Sequence, residues 1–167
     1  MSKIDNLHDL FVHTLSDQYN AEKQLTKALP KMAKAAENPK LVKGFETHLA
    51  ETEDQIAKLD KVFEMCDIKP EKITCEAMKG LIEEGEEAIK EFKKGPLLDV
   101  ALIVAAQKVE HYEISGYGSL CTIANKLGYK DAEKILNQIK EQERATDEKL
   151  TELAINDIND EAFAQAA

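Results

Sequence analysis

Apolar residues recur every three or four positions along most of the chain, the spacing of one face of an α-helix. From about Asp5 to Ala36, the residues Phe11, Leu15, Gln18, Glu22, Leu25 and Leu29 form one stripe, with Glu22 where the period expects a leucine. Pro30 falls inside this run and predicts a kink or a division. Asn38-Pro39 ends the segment, and Pro39 suits the first turn of a second helix that reaches about Asp67. The second stripe is Leu41, Phe45, Leu49, Thr52, Ile56, Leu59 and Phe63; His48, Glu51 and Gln55 line its shoulder, and Asp54 points away. Ile68-Lys69-Pro70 breaks the pattern, and a shorter amphipathic helix follows from about Cys75 to Phe92, closed by Lys93-Lys94-Gly95-Pro96.

The next segment, Pro96 to Leu127, begins with an apolar run from Leu97 to Ala106 that alternates nowhere. It reads as a helix buried over much of its circumference, with Gly128 as its C-terminal cap. The last helix starts near Lys130, with Asp131 as the expected cap, and its stripe is Ala132, Leu136, Ile139, Glu143, Thr146, Leu150 and Ala154. The tail after Ile158 is expected to fray. Four long helices and one short one, the short one lying midway, predict an all-α four-helix bundle whose long crossover carries the additional helix.

Composition supports long helices: aromatic residues are 5% of the chain, there is no Trp, and 167 residues suffice for one domain with a real core, about residues 4 to 157. A net charge of −10 argues against nucleic acid and against an anionic membrane as partners. No apolar run reaches the ~18 residues of a membrane span, and Met1-Ser2-Lys3-Ile4-Asp5 lacks the apolar core of a signal peptide, so a cytoplasmic location is expected. Cys66, Cys75 and Cys121 are odd in number and lack CxxC spacing, which predicts free thiols.

The chemistry lies where acids interrupt the stripes. Glu113 falls on the line through Leu102, Val109, Leu120 and Ala124, and Glu110 lies about 60° to one side at ~100° per residue. The helices thus offer Glu22, then His48 and Glu51, then Glu110 and Glu113, then Glu143 with Asp147 beside it. From residue 22 to residue 51 is 29 positions and from 110 to 143 is 33, each suited to running out along one helix and back to the same level. A buried unpaired carboxylate costs several kcal/mol, and the inward faces near these positions show no obvious Lys or Arg. A pair of dications is the economical counter-charge, and oxygen-rich ligation with little sulfur favours Fe, Mn or Mg over Zn or Cu. Glu51 and Glu143 are the expected bridging carboxylates, with Glu22, His48, Glu110, Glu113 and Asp147 as terminal or supporting groups. Acids that share protons, with no metal, are the alternative.

Several stretches resemble the bacterial YciF-type stress protein family: Ala21-Glu22-Lys23-Gln24-Leu25, His48-Leu49-Ala50-Glu51-Thr52 with Gln55, Glu76 to Glu84, Ala105 to Ile114, Ala145 to Leu150 and Leu153 to Asn156. The likeness covers about Ile4 to Asp157, and QKVEHYEI is its specific core. It implies a ferritin-like bundle, a homodimer and stress induction. Ferritin-like relatives carry one Glu on the first helix, Glu-x-x-His on the second, Glu or Glu-x-x-Glu on the third and Glu followed by His on the fourth. Glu22, Glu51, Glu110, Glu113 and Glu143 match that scheme; Asp54 stands in place of the second-helix His, and Thr146 or Asp147 in place of the fourth-helix one. The expected function is handling of oxygen, peroxide or iron at a dinuclear Fe or Mn site, with electrons from a separate donor, since no cysteine cluster is present. The alternative is a metal-free dimeric structural or interaction protein with a vestigial site. A DNA-protecting shell is disfavoured by the sign of the net charge and the lack of a basic arm.

Overall fold

A computed structural model of the chain describes residues 4–165. Five helices account for most of it: α1 Leu7–Ala35, α2 Pro39–Met65, α3 Glu76–Glu91, α4 Pro96–Leu127 and α5 Lys130–Leu153. A five-residue π turn, Ala154–Ile158, leads into a last helix, α6 Asn159–Gln165. The expected all-α bundle with a helix in its crossover is the observed architecture.

Local chemistry sets the boundaries. The Asn6 side chain accepts the Asp9 N–H at 2.9 Å, which starts α1. The Asn38 side chain accepts the Lys40 N–H at 2.9 Å, with Pro39 in the first turn of α2. Gly128 closes α4 with φ of 84°, the left-handed conformation that an L side chain resists.

Three expectations need correction. Of the kink or division expected at Pro30, the division does not occur: α1 runs on to Ala35, with Pro30 on its exposed side. Tyr129, not Asp131, occupies the cap position of α5, and Asp131 sits inside the first turn, paired with Lys134 at 2.9 Å. The chain after Ile158 is helical through Gln165, anchored by the fully buried Ile158 and by an Asp157–Lys40 pair at 2.6 Å.

Short turns make α1 antiparallel to α2, and α4 antiparallel to α5. α1 also packs on α4, and α2 on α5, which closes the ring; α3 lies against α1 and α4. Asp99 of α4 ties down the first turn, accepting the Glu37 and Asn38 N–H groups at 2.8 Å each. Among the described residues, no helix is long and apolar enough to cross a membrane.

The core is in two halves. One contains Leu25, Leu29, Leu41, Phe45, Leu102, Ile103 and Leu150. The other contains Phe11, Leu15, Leu59, Val62, Leu120, Leu136 and Ile139. Along each long helix the buried positions between these halves are polar: Gln18 and Glu22 on α1, His48, Thr52 and Gln55 on α2, Glu110 and Glu113 on α4, Glu143 on α5. A polar slab therefore crosses the middle of the bundle.

Candidate metal centre

Each helix brings its slab residues inward because they replace apolar residues in its own stripe, so the packing that buries the stripe buries them too. His48, Glu110, Glu113 and Glu143 each present a ligand atom, all within 4.8 Å of one another. Glu22 is fully buried beside them, and its Oε1 accepts a short hydrogen bond from the Tyr117 hydroxyl. His48 Nε2 lies 3.1 Å from Glu110 Oε1, yet both imidazole nitrogens lack a hydrogen-bond partner. The two side chains converge without pointing at each other.

Unpartnered atoms are concentrated in the same place. Among the described residues, every buried side-chain N or O without a hydrogen bond belongs to Gln18, Glu22, His48, Gln55, Glu110, Glu113 or Glu143. Leaving one such group unsatisfied costs about 1–3 kcal/mol, and more when it is charged. Both oxygens of Glu113 and of Glu143 are in this state. Among the described residues, no Lys or Arg is buried. Four carboxylates and an imidazole with spare lone pairs fit divalent cations, and the oxygen-rich set suits Fe or Mn.

Without a cation, the surroundings raise the proton affinity of Glu22, Glu113 and Glu143. Burial, only partly offset by the Tyr117 hydrogen bond and by His48, pushes Glu22 up to about 7. Burial, then the charges of Glu22, Glu143 and Glu110, holds Glu113 well above the carboxylate range. Glu143 is likewise raised, by burial and then by Glu110. Burial works against a charged His48, but the Glu110 carboxylate, with Glu51 and Glu143, outweighs it and lifts the imidazole well above its ordinary value. Tyr117 is driven upward by burial and then by Glu22, so it stays a hydrogen-bond donor.

Of the seven residues singled out from sequence, Glu22, His48, Glu110, Glu113 and Glu143 lie in the slab. Glu51 and Asp147 lie at its edge. The Glu51 side chain is 28% exposed, with Oε2 3.8 Å from His48 Nδ1. Asp147 turns outward, accepting Gln107 Nε2 at 3.0 Å and meeting His111 Nε2 at 3.2 Å. His111 is thus the partner of Asp147, away from the convergent group.

Sequence reasoning passed over three slab residues. Tyr117 reads as a packing aromatic, and its hydroxyl becomes meaningful only once Glu22 is opposite. Gln18 and Gln55 sit on or beside apolar stripes, which is the signal that marks them. The Gln18 amide crosses closely over α4: a Cβ at Gly116 would stand 2.3 Å from its Oε1, so any side chain there must displace the amide. Tyr112, on another side of α4, donates to Asp17 at 2.6 Å and touches the Cys75 sulfur at 2.9 Å.

A family model described as a domain of unknown function (DUF892) matches residues 6–163. The Escherichia coli K12 protein YciF is 52% identical over 161 residues, covering 96% of this chain and 97% of its own. The crystal structure of that stress protein superposes with a TM-score of 0.90, covering 93% of this chain and 98% of the other. YcfI from Rhodopseudomonas palustris is 43% identical, with a TM-score of 0.86 over 89% of this chain and 95% of its own. A Xanthomonas campestris pv. campestris protein shares the fold at 22% identity, with a TM-score of 0.70 over 89% and 90% of the two chains.

Proposed function

The chain belongs to the DUF892 family, and we propose that it is a ferritin-like, stress-associated protein whose buried slab holds a pair of Fe or Mn ions. The observation that carries this reading is the confinement of the unpartnered buried side-chain atoms to one layer between two apolar half-cores. Glu22, His48, Glu110, Glu113 and Glu143 would hold the ions. When bound, such a pair supplies redox exchange with oxygen or peroxide, or a means of sequestering iron.

The protein's own groups do the rest. Tyr117 fixes the orientation of Glu22 through its hydroxyl. Gln55, unpartnered at both ends of its amide, is available to steady a carboxylate or a water. The two apolar half-cores exclude bulk water from either side, which strengthens every charge interaction between them. Three free cysteines fit a reducing, cytoplasmic setting, and the family resemblance supports a homodimer that draws electrons from a separate donor.

The test is elemental analysis of protein purified without chelator, followed by titration with Fe(II) under anaerobic conditions. Uptake of about two ions per chain is expected. The raised proton affinities of Glu22, Glu113 and Glu143 favour a second reading, a structural or interaction protein whose slab is held neutral by protons. Less than ~0.2 metal per chain, with no Fe(II) uptake at neutral pH, decides for that second reading.

A further inference from the structure

A cavity of about 310 Å³ opens between α2 and α5. Its size falls at the lower end of pockets that enclose small organic ligands. Its walls are apolar, built from Leu41, Phe45, Leu150 and Leu153. His48 and Glu110 line it as well, and they belong to the polar slab. Lys40, Lys43 and Lys149, all exposed, also line it and place its positive charge on the solvent side.

These lysines differ in their engagement. Lys40 is paired with Asp157 at 2.6 Å. Lys43 and Lys149 have no carboxylate within ion-pair distance among the described residues. Glu51 is the carboxylate closer to solvent in the lining; His48 beside it holds its charge, and Lys149 adds to that effect. Three lysines around an opening are unusual ground on a chain of net charge −10. The outer rim thus carries three ammonium groups against the one carboxylate of Glu51, the walls are mostly hydrocarbon, and Glu110 and His48 stand at the inner end.

We propose that this cavity binds a medium-chain monocarboxylate. Its hydrocarbon body lies along Phe45 and Leu150 toward His48, and its carboxylate stays at the rim between Lys43 and Lys149. The apolar walls supply most of the affinity by removing the chain from water. The lysines supply the choice of an anionic headgroup over a neutral or cationic one. Such a ligand brings an organic substrate or regulator to the edge of the slab. Binding does not require metal in the slab, so the pocket and the metal reading fail independently.

The probe is decanoate, titrated by calorimetry into metal-free and Fe(II)-loaded full-length protein, with decyltrimethylammonium as the cationic control. Decanoate is expected to bind both forms, and the cationic control at least about tenfold more weakly. The double variant Lys43→Glu with Lys149→Glu, both on the surface, is expected to weaken decanoate about tenfold or more. Gly44 also lines the cavity, and a Cβ there meets nothing within 4 Å. Gly44→Leu therefore suits the helix, narrows the entrance and should abolish binding while raising the melting temperature. The proposal is overturned if decanoate fails to bind at ~1 mM, if anion and cation bind alike, or if both variants bind as the parent does. It is also overturned if light scattering shows a dimer that Gly44→Leu dissociates, since the occupant is then a second copy.

Discussion

Tyr117 and Glu22, 95 residues apart, join α4 to α1 through a hydrogen bond at the fully buried centre of the bundle. It is the single hydrogen bond that any of the four slab glutamates receives from a side chain among the described residues. Tyr117→Phe removes the hydroxyl and leaves the ring, so the core packing is kept. The metal-free variant should lose about 1–3 kcal/mol, the cost of a buried acceptor left without its donor. Glu22 should then titrate still higher, because that hydrogen bond is the largest influence lowering it. Iron uptake at pH 7 should weaken accordingly. Chemical denaturation of the apo protein and Fe(II) titration give the two readouts; unchanged values in both would mean that Tyr117 only fills space.

The pH dependence of the metal-free protein has a definite sign. Glu22 is raised in the folded chain from 4.5 to about 7, so the native state holds the proton more tightly than the unfolded chain does. That stabilisation is complete below the ordinary carboxylate value and is lost as pH rises through about 7. For this one fully buried group it amounts to roughly 3 kcal/mol. Glu113 and Glu143 are raised too, and His48 is raised above its ordinary imidazole value, so all four contributions fade in the same direction. Glu51 and Glu86 are held low, and what they add disappears only in acid. The apo melting temperature should therefore fall by roughly 5–10 °C between about pH 5.5 and 8. Saturating Mn(II) should flatten or reverse the slope, because the ion replaces the protons. A flat apo profile measured by calorimetry would contradict these raised proton affinities.

Removing one acid separates the metal-bound and metal-free readings. Glu143→Gln keeps the shape of the side chain and removes a buried, otherwise unpartnered carboxyl group. In chelator the variant should be as stable as the parent or more so, by about 1–2 kcal/mol at pH 8. With Fe(II) or Mn(II) the order should invert, since the parent gains binding energy that the variant cannot recover. The same comparison for Asp147→Asn, whose carboxylate faces Gln107 and His111, should show far less inversion. Melting curves with and without chelator are enough. If metal shifts neither protein, the slab is a proton store.

The four long helices are legible in the sequence because their apolar stripes keep one period, and a glycine or proline punctuates each join from α1 to α5. The interrupting acids are legible for the same reason: Glu22, Glu113 and Glu143 stand where leucine is expected. Their convergence at one depth follows from turn lengths, since 29 and 33 positions return each chain to its starting level. Rotation about the helix axis is less legible. Glu51 and Asp147 fall within a few tens of degrees of an inward face, and that margin decides between the slab and its edge. The Tyr117–Glu22 hydrogen bond was hidden because it depends on which helices are neighbours across the bundle, and periodicity is silent on that. Helix α6 was hidden because its anchors, Ile158 and Asp157, act on distant parts of the chain.

Gly116 gives the most local test of the slab's architecture. A methyl group added there would stand 2.3 Å from Gln18 Oε1, well inside contact distance, and 3.2 Å from the amide carbon. On helix propensity alone, Gly→Ala in mid-helix should stabilise by roughly 1 kcal/mol. The clash opposes that gain, because the buried Gln18 amide must leave its place over α4. Gly116→Ala should therefore be destabilising by about 1–3 kcal/mol. In the Gln18→Ala background the obstacle is gone, and the same substitution should become neutral or stabilising. The double-mutant cycle should thus return a coupling of about 2 kcal/mol or more between α1 and α4. Additive effects in that cycle would mean that the amide swings aside freely, and that the close crossing at Gly116 does not hold Gln18 in the slab.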